Sequence, residues 1–234
     1  MDMKLLRAVS SQEYTQASAD IADTGVLQAY RQSLQRHDER LAQAADAETL
    51  ACKQGCSWCC HFSVDVRPVE VFNILQFVTQ QFSPAEQQQL RRDVETNSAV
   101  LKPLDELQRM QHNIKCPLLR EGRCSIYAAR PQTCRNYHAT NSAGCQRSYE
   151  EPGNLDIEPE YAPLVFQNGA ATVDAFSKAM GDAGYDIAAY ELNGALAEAL
   201  RPASNALQRF TAKLPVFSDV DGTDVPLEFI DFED

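Results

Sequence analysis

The grouping of eight cysteines in a chain of 234 residues constrains this sequence more than any other feature. The first group, CKQGCSWCCH, places Cys52, Cys56, Cys59 and Cys60 within nine positions and is followed at once by His61. Such close spacing lets one tight loop present several thiolates to one ion. Zinc takes about four such ligands at roughly 2.3 Å from each sulfur, and iron–sulfur clusters also draw cysteines from short-spaced runs. Adjacent Cys59 and Cys60 rarely point the same way, so one ligates while the other serves a second ion, bridges, or packs behind the loop. The second group, CPLLREGRCSIYAARPQTCRNYHATNSAGC, holds Cys116, Cys124, Cys134 and Cys145 at looser spacing. Gly122 sits where a knuckle turn before Cys124 would need it. Arg130-Pro131 sets an extended approach to Cys134. For Cys145, the most distant, a small buried hydrophobe is the competing reading.

Charge supplies a second line of argument. The chain carries a net charge of -12, yet between Lys115 and Arg147 six basic residues stand against the single acid Glu121. Thiolate sites are anionic. Guanidinium groups beside them offset that charge and donate hydrogen bonds to sulfur, which makes Arg123, Arg130 and Arg135, nearest the cysteines, the candidate supporting residues. The same patch would also suit an acidic protein partner. The acidic total argues against nucleic acid as a partner and against an anionic membrane surface. The first twenty residues contain no long apolar stretch of a secretory signal, and no window reaches the roughly 18 apolar residues that span a bilayer. The expected location is therefore the cytoplasm, where thiols stay reduced and disulfides are a poor account of eight cysteines. His61 and His138, beside cysteines, read as satisfied non-ligands, because the thiols already suffice. Asp65 and Glu70 read as helix-start acids.

The rest of the chain is helical in pattern. Residues 25–50 carry Leu27, Tyr30, Leu34 and Leu41 on one face, and Pro68 to Phe82 carries Val71, Leu75, Val78 and Phe82. Ser83-Pro84-Ala85-Glu86 is a capping box opening the next helix, which Pro103 breaks before a further piece to about His112. Residues 116–150 lack helical period. From about 158 to 213 the period returns, with Leu192, Leu196 and Leu200 on one face and Gly169 and Pro202 as punctuation. The final SDVDGTDVPLEFIDFED reads as a loosely held acidic tail. The expected fold class is mainly α, a helical domain with irregular cysteine-rich metal-binding loops. Three regions follow: an N-terminal helical segment (1–49), a cysteine-cluster domain (50–147), and a C-terminal helical segment with its tail (148–234). There is no Walker loop, HExxH or GxSxG, and no catalytic residue is assigned.

The doublet of CKQGCSWCCH, the later CPLL and then GRCSIYAARPQTCR together resemble the YkgJ-like cysteine-cluster family of zinc- or iron-chelating proteins. The resemblance spans about residues 50–147, and its later C-x-I-Y-x-x-R-P-x-x-C element makes it specific. It implies chelation through Cys52, Cys56, Cys59, Cys60, Cys116, Cys124 and Cys134, with Cys145 added. Arg130 and Pro131 match the family's R-P step and Tyr127 its aromatic. A similar region occurs in larger flagellin lysine methylases. The function expected is a metal-binding protein holding Zn2+ or an iron–sulfur cluster through thiolates of both segments. The alternative is an iron–sulfur enzyme of redox or methylase-like protein-modification type, which would need a pocket beside the cluster.

Overall fold

A computed structural model describes residues 3–53 and 55–228. Its first helix, α1 (Met3–Thr24), has a buried stripe of Leu6, Ser10, Glu13 and Ala17, spaced for one helix face but half polar. That polarity hides the helix from a search for apolar periodicity. Gly25, at φ 79°, turns the chain into α2 (Val26–Gln43). The helix ends earlier than the sequence period suggests, because Ala44 goes extended and a separate 3-10 turn covers Ala47–Thr49. Glu13 is fully buried between the two helices. It accepts from Ser33 Oγ at 2.7 Å, from Arg36 twice at 2.8 Å, and from Arg40 at 2.5 Å.

Pro68, with no N–H to lose, starts α3 (Pro68–Gln81), and Ser83 with Glu86 closes the capping box that starts α4 (Pro84–Leu101). The short α5 (Glu106–Met110) opens on a second box from Asp105 and Gln108. Two helices arise where no period is visible: α6 (Gln132–Asn136) and α7 (Ser142–Glu150), the latter capped by Asn141 Oδ1 on the Ala143 and Gly144 amides. Segment 116–150 is therefore not wholly irregular. Its helices are too short to repeat a hydrophobic face. The C-terminal helices are α8 (Pro163–Asp182), α9 (Leu192–Ala199) and α10 (Ala206–Thr211).

Helices α1, α2 and α8 pack together, and α9 packs on α3 and α4. One core joins both groups through Tyr30, Ile74, Val94, Phe176 and Leu196, all at most 1% exposed. The strands are minimal. In one ladder β1 (Asp65–Val66) runs antiparallel to β4 (Tyr190–Glu191), with Asp65 opposite Glu191. In the other, β2 (Leu119–Arg120) and β3 (Arg123–Cys124) form a hairpin. Its two turn residues, Glu121 (φ 49°) and Gly122 (φ 73°), are both left-handed, as a two-residue turn of type I′ requires.

Gly169 lies within α8 and does not end a helix as its residue type suggests. A Cβ there would stand 1.9 Å from Asn136 Oδ1 and 3.1 Å from His37 Nε2. The missing side chain lets α6 approach α8, where Asn136 Nδ2 donates to the Phe166 carbonyl at 3.2 Å. Gly169→Ala would gain about 1 kcal/mol of helix propensity but lose that contact and overpack at a cost of about 1–3 kcal/mol. The expected net result is a lower melting temperature in thermal denaturation; an unchanged or higher value would mean that Asn136 relaxes freely. The C-terminal segment is also better held than its composition suggests. Val216 and Phe217 are buried, Glu198 accepts from the Ser218 and Asp219 amides, and Thr223 bridges to Ala189. Residues 229–234 of the tail lie outside the described residues.

Candidate metal centre

The first cysteine segment folds as an irregular loop into a 3-10 turn, Trp58–His61, which carries the Cys59-Cys60 doublet. The α3–α4 hairpin returns the chain to it. Cys116 N–H donates to the Cys60 carbonyl at 2.8 Å, and Ile114 N–H to the His61 carbonyl at 2.8 Å. This antiparallel junction of short backbone bonds joins the two segments. Farther on, Ala51 N–H donates to the Ala139 carbonyl at 2.8 Å, and Ala139 N–H reaches Cys52 Sγ at 3.2 Å. Tyr149 of α7 stacks on Trp58 and His61, with ring centroids 5.4 and 4.9 Å away, so the helix bearing Cys145 packs on the turn bearing the doublet.

A cavity of about 270 Å³ forms where these pieces meet, and Cys56, Cys59, Cys60, Cys116, Cys124 and Cys134 line it. Cys52 and Cys145 stand outside that lining, with Cys145 buried. Residues Phe62, Val64, Ile114, Leu118, Ile126 and Leu192 supply apolar wall. Leu192 arrives there because Glu191 holds the start of α9, accepting from the Asn193 and Gly194 amides at 2.9 and 2.7 Å. Sequence patterning gave no sign that these residues share one wall, because they come from four separate stretches of chain.

Of the basic candidates, Arg130 reaches the cavity. It lies over the Tyr127 ring at 4.2 Å, and its Nε is buried with no hydrogen-bond partner among the described residues. Arg135 is buried but committed elsewhere, donating to the Arg130 carbonyl at 3.1 Å, to Asp38 at 2.5 Å, and to the Ala128 carbonyl. Its charge still reaches Cys124. Arg123 is exposed on the hairpin. Arg120 turns away to Glu86 at 2.7 Å and to the Phe82 ring. His61 donates from Nδ1 to the Ser57 carbonyl at 3.1 Å, while His138 Nδ1 is buried with no hydrogen-bond partner among the described residues.

Glu70, more than a helix-start acid, is the main brace of the second segment. At 2% exposure its carboxylate accepts from Arg67 N–H at 2.6 Å, from Gln132 N–H at 2.8 Å and from Tyr30 O–H at 3.3 Å. It thus joins α3 and α2 to the first residue of α6, the helix that carries Cys134. Its position after the first cysteine group marked it as a helix start; the bond to Gln132, 62 residues away, had no local signal.

Burial pushes the thiols upward: Cys116 to about 12, Cys145 to about 11, and Cys124 and Cys134 in the same direction. The doublet splits, with Cys59 S–H donating to Cys60, which raises the first and lowers the second. Buried thiols are costly to ionise without a cation, and a bound metal reverses that balance. Among the described residues, no three His, Cys, Asp or Glu side chains yet stand at a common coordination distance. The donor set nonetheless fits a thiophilic ion. Six thiols face one space, and the unpartnered Arg130 Nε is a buried donor beside sulfurs that become anionic acceptors on ligation.

The arrangement defines a class: a mainly helical scaffold whose two cysteine segments converge on one thiol-lined cavity. Residues 51–155, just under half of the chain, match the family model CxxCxxCC, described as "Putative zinc- or iron-chelating domain". That match supports a metal-binding role. No curated protein and no solved structure matches the chain. No helix among the described residues is long and apolar enough to cross a membrane.

Proposed function

We propose that this chain is a thiolate metal-binding protein of the cytoplasm. Its ligands are drawn from Cys52, Cys56, Cys59, Cys60, Cys116, Cys124, Cys134 and Cys145, and they hold zinc or an iron–sulfur cluster. The observation that carries the reading is the convergence of six of these thiols, from both segments, on one cavity. Thiolates suit both metals, and their number and close spacing do not by themselves separate the two. Arg130 is the group that offsets the thiolate charge, with Arg135 adding its field from behind and Arg123 at the hairpin edge. The chain's own part is to fix the ligands. The Cys60–Cys116 backbone bond, the β2–β3 turn and the Glu70–Gln132 bond set where Cys60, Cys116, Cys124 and Cys134 emerge. A metal bound there would tie the two segments together and make folding depend on it.

The test is metal and acid-labile sulfide content of protein purified anaerobically without added metal. Stoichiometric zinc or iron is expected, with both metal content and thermal stability reduced together in Cys116→Ser and Cys134→Ser. Wild-type protein free of both metals, or variants with unchanged content, would overturn the reading. One observation favours a second reading, an iron–sulfur enzyme of redox or protein-modification type: the cavity keeps an apolar wall that a purely structural site does not need. Iron accompanied by matching sulfide is its expected signature, and zinc without sulfide removes it.

A further inference from the structure

Arg130 lines two spaces. One is the thiol cavity; the other is a separate pocket of about 510 Å³ whose lining holds no cysteine. The end of α2, the 3-10 turn Ala47–Thr49 and the residues on either side of α6 enclose it. Four of its wall residues, Leu41, Ala42, Ala47 and Leu50, are apolar. Leu41 packs with Ala162 and Val165 in a small core of its own, which leaves Ala47 and Leu50 only partly covered. The polar wall is formed by Asp38, Arg130, Arg135 and His138, and its charges do not cancel. Arg135 is matched by Asp38 at 2.5 Å. Burial, with Arg130 beside it, holds His138 down to about 4, so its imidazole is neutral at ordinary pH. Arg130, half-buried, pairs with no carboxylate among the described residues, in a chain whose net charge is -12. Its guanidinium lies over the Tyr127 ring at 4.2 Å. Contact with a ring face leaves the edge of a guanidinium, where its N–H donors lie, free to meet an acceptor.

We propose that this pocket binds a small organic anion, a monocarboxylate with a short hydrocarbon body, whose carboxylate meets Arg130 and whose chain lies on the strip of Leu41, Ala42, Ala47 and Leu50. Charge selects the head group. Arg130 and Arg135 against Asp38 leave one net positive charge in the wall, which one carboxylate neutralises, whereas a phosphate monoester brings close to two negative charges. The guanidinium fork also matches a carboxylate through paired N–H···O bonds. The apolar strip selects the body, because each methylene laid on it leaves water. The volume falls within the roughly 300–1,000 Å³ of small-molecule pockets, which combine apolar walls with a few polar groups in this way. A guanidinium carries five N–H donors, so a ligand here does not have to draw Arg130 away from the thiol cavity. No metal takes part in this binding.

The experiment is isothermal titration calorimetry of the full-length protein, at neutral pH and constant ionic strength, with sodium butyrate, sodium hexanoate, hexanol and inorganic phosphate. Saturable binding of hexanoate at a single site is expected, about tenfold tighter than butyrate for its two extra methylenes. Hexanol and phosphate should each bind more weakly than hexanoate, by about tenfold or more. Ala42 is exposed on α2 and lines the pocket, so replacing it changes the local charge without touching the core. Ala42→Glu should weaken hexanoate by about tenfold, and Ala42→Lys should keep or tighten it, with helical circular dichroism unchanged in both. Hexanoate without saturable binding overturns the proposal. So does hexanol binding as tightly as hexanoate, phosphate binding more tightly than hexanoate, or Ala42→Glu keeping the wild-type affinity. The wild-type titrations do not depend on any variant folding. Failure here leaves the thiolate reading standing, since that reading is tested by metal content.

Discussion

Glu70→Ala is expected to cost about 4 kcal/mol of stability, and to lower metal content with it. Truncation leaves three donors without their acceptor: Arg67 N–H, Gln132 N–H and Tyr30 O–H. A buried donor left unsatisfied costs about 1–3 kcal/mol, and the Gln132 and Tyr30 groups have no water to turn to at the junction of α2, α3 and α6. The effect on metal arises through position. Gln132 is the first residue of α6, and Cys134 is the third. A loosened α6 start lets that thiol drift from Cys60, Cys116 and Cys124. Glu70→Gln keeps one oxygen acceptor and should show a smaller loss of both properties. The measurement is denaturant unfolding alongside metal content on the same preparations. Full metal content in a Glu70→Ala protein that has lost the stability would separate the brace from the site and sink the positioning argument.

Glu13→Ala is expected to destabilise the α1–α2–α8 packing by about 3 kcal/mol without altering the cysteine cavity. Removing one partner of a buried ion pair typically costs about 3–5 kcal/mol. Here the lower figure applies, because the side chains of Arg36 and Arg40 are 21% and 14% exposed and regain some water. Arg36 also keeps Asp20 at 2.7 Å. Arg40 loses its only carboxylate partner among the described residues and retains Thr172 Oγ1 at 3.2 Å. Metal stoichiometry in this variant should equal that of the wild type at temperatures below its unfolding. A loss under 1 kcal/mol would mean that the arginines swing fully into solvent, and a loss of metal would mean that the bundle and the cavity are coupled.

The two variants sort the molecule into a scaffold and a site that share one core. They also mark how far local sequence reaches. The apolar stripe of α3, the capping box at Ser83 and Glu86, and the leucine face of α9 are each carried by residues a few positions apart. Helical period and terminal hydrogen bonds act over that range, so these elements were readable. The α1 helix fell within the helical segment expected over 1–49 but showed no apolar stripe of its own, although it is 22 residues long, because its buried face uses Ser10 and Glu13 in place of apolar residues. Those residues are acceptable inside only because Ser33, Arg36 and Arg40 wait on the next helix. Gly169 misled for a related reason: a glycine suggests a break, and only the approach of Asn136 and His37 shows that it is room for a neighbour.

The candidate site divides in the same way. By itself the sequence determined the donor chemistry, eight thiols with a doublet among them, the basic character of their second segment, and the turn residues that place Cys124 and Cys134. These follow from residue identity and spacing alone. Only the tertiary structure decided which thiol faces which. It packed α7, which carries Cys145, onto the turn that carries the doublet, set Cys116 against Cys60 through a backbone bond, and left Arg130 the basic residue at the cavity while Arg120 and Arg135 were taken by carboxylates and carbonyls. The physical reason is that thiol chemistry belongs to single side chains, whereas a coordination shell depends on where separate backbones are pinned. In this chain the pins are hydrogen bonds and ring contacts between residues 53 to 91 positions apart, and no local pattern records them.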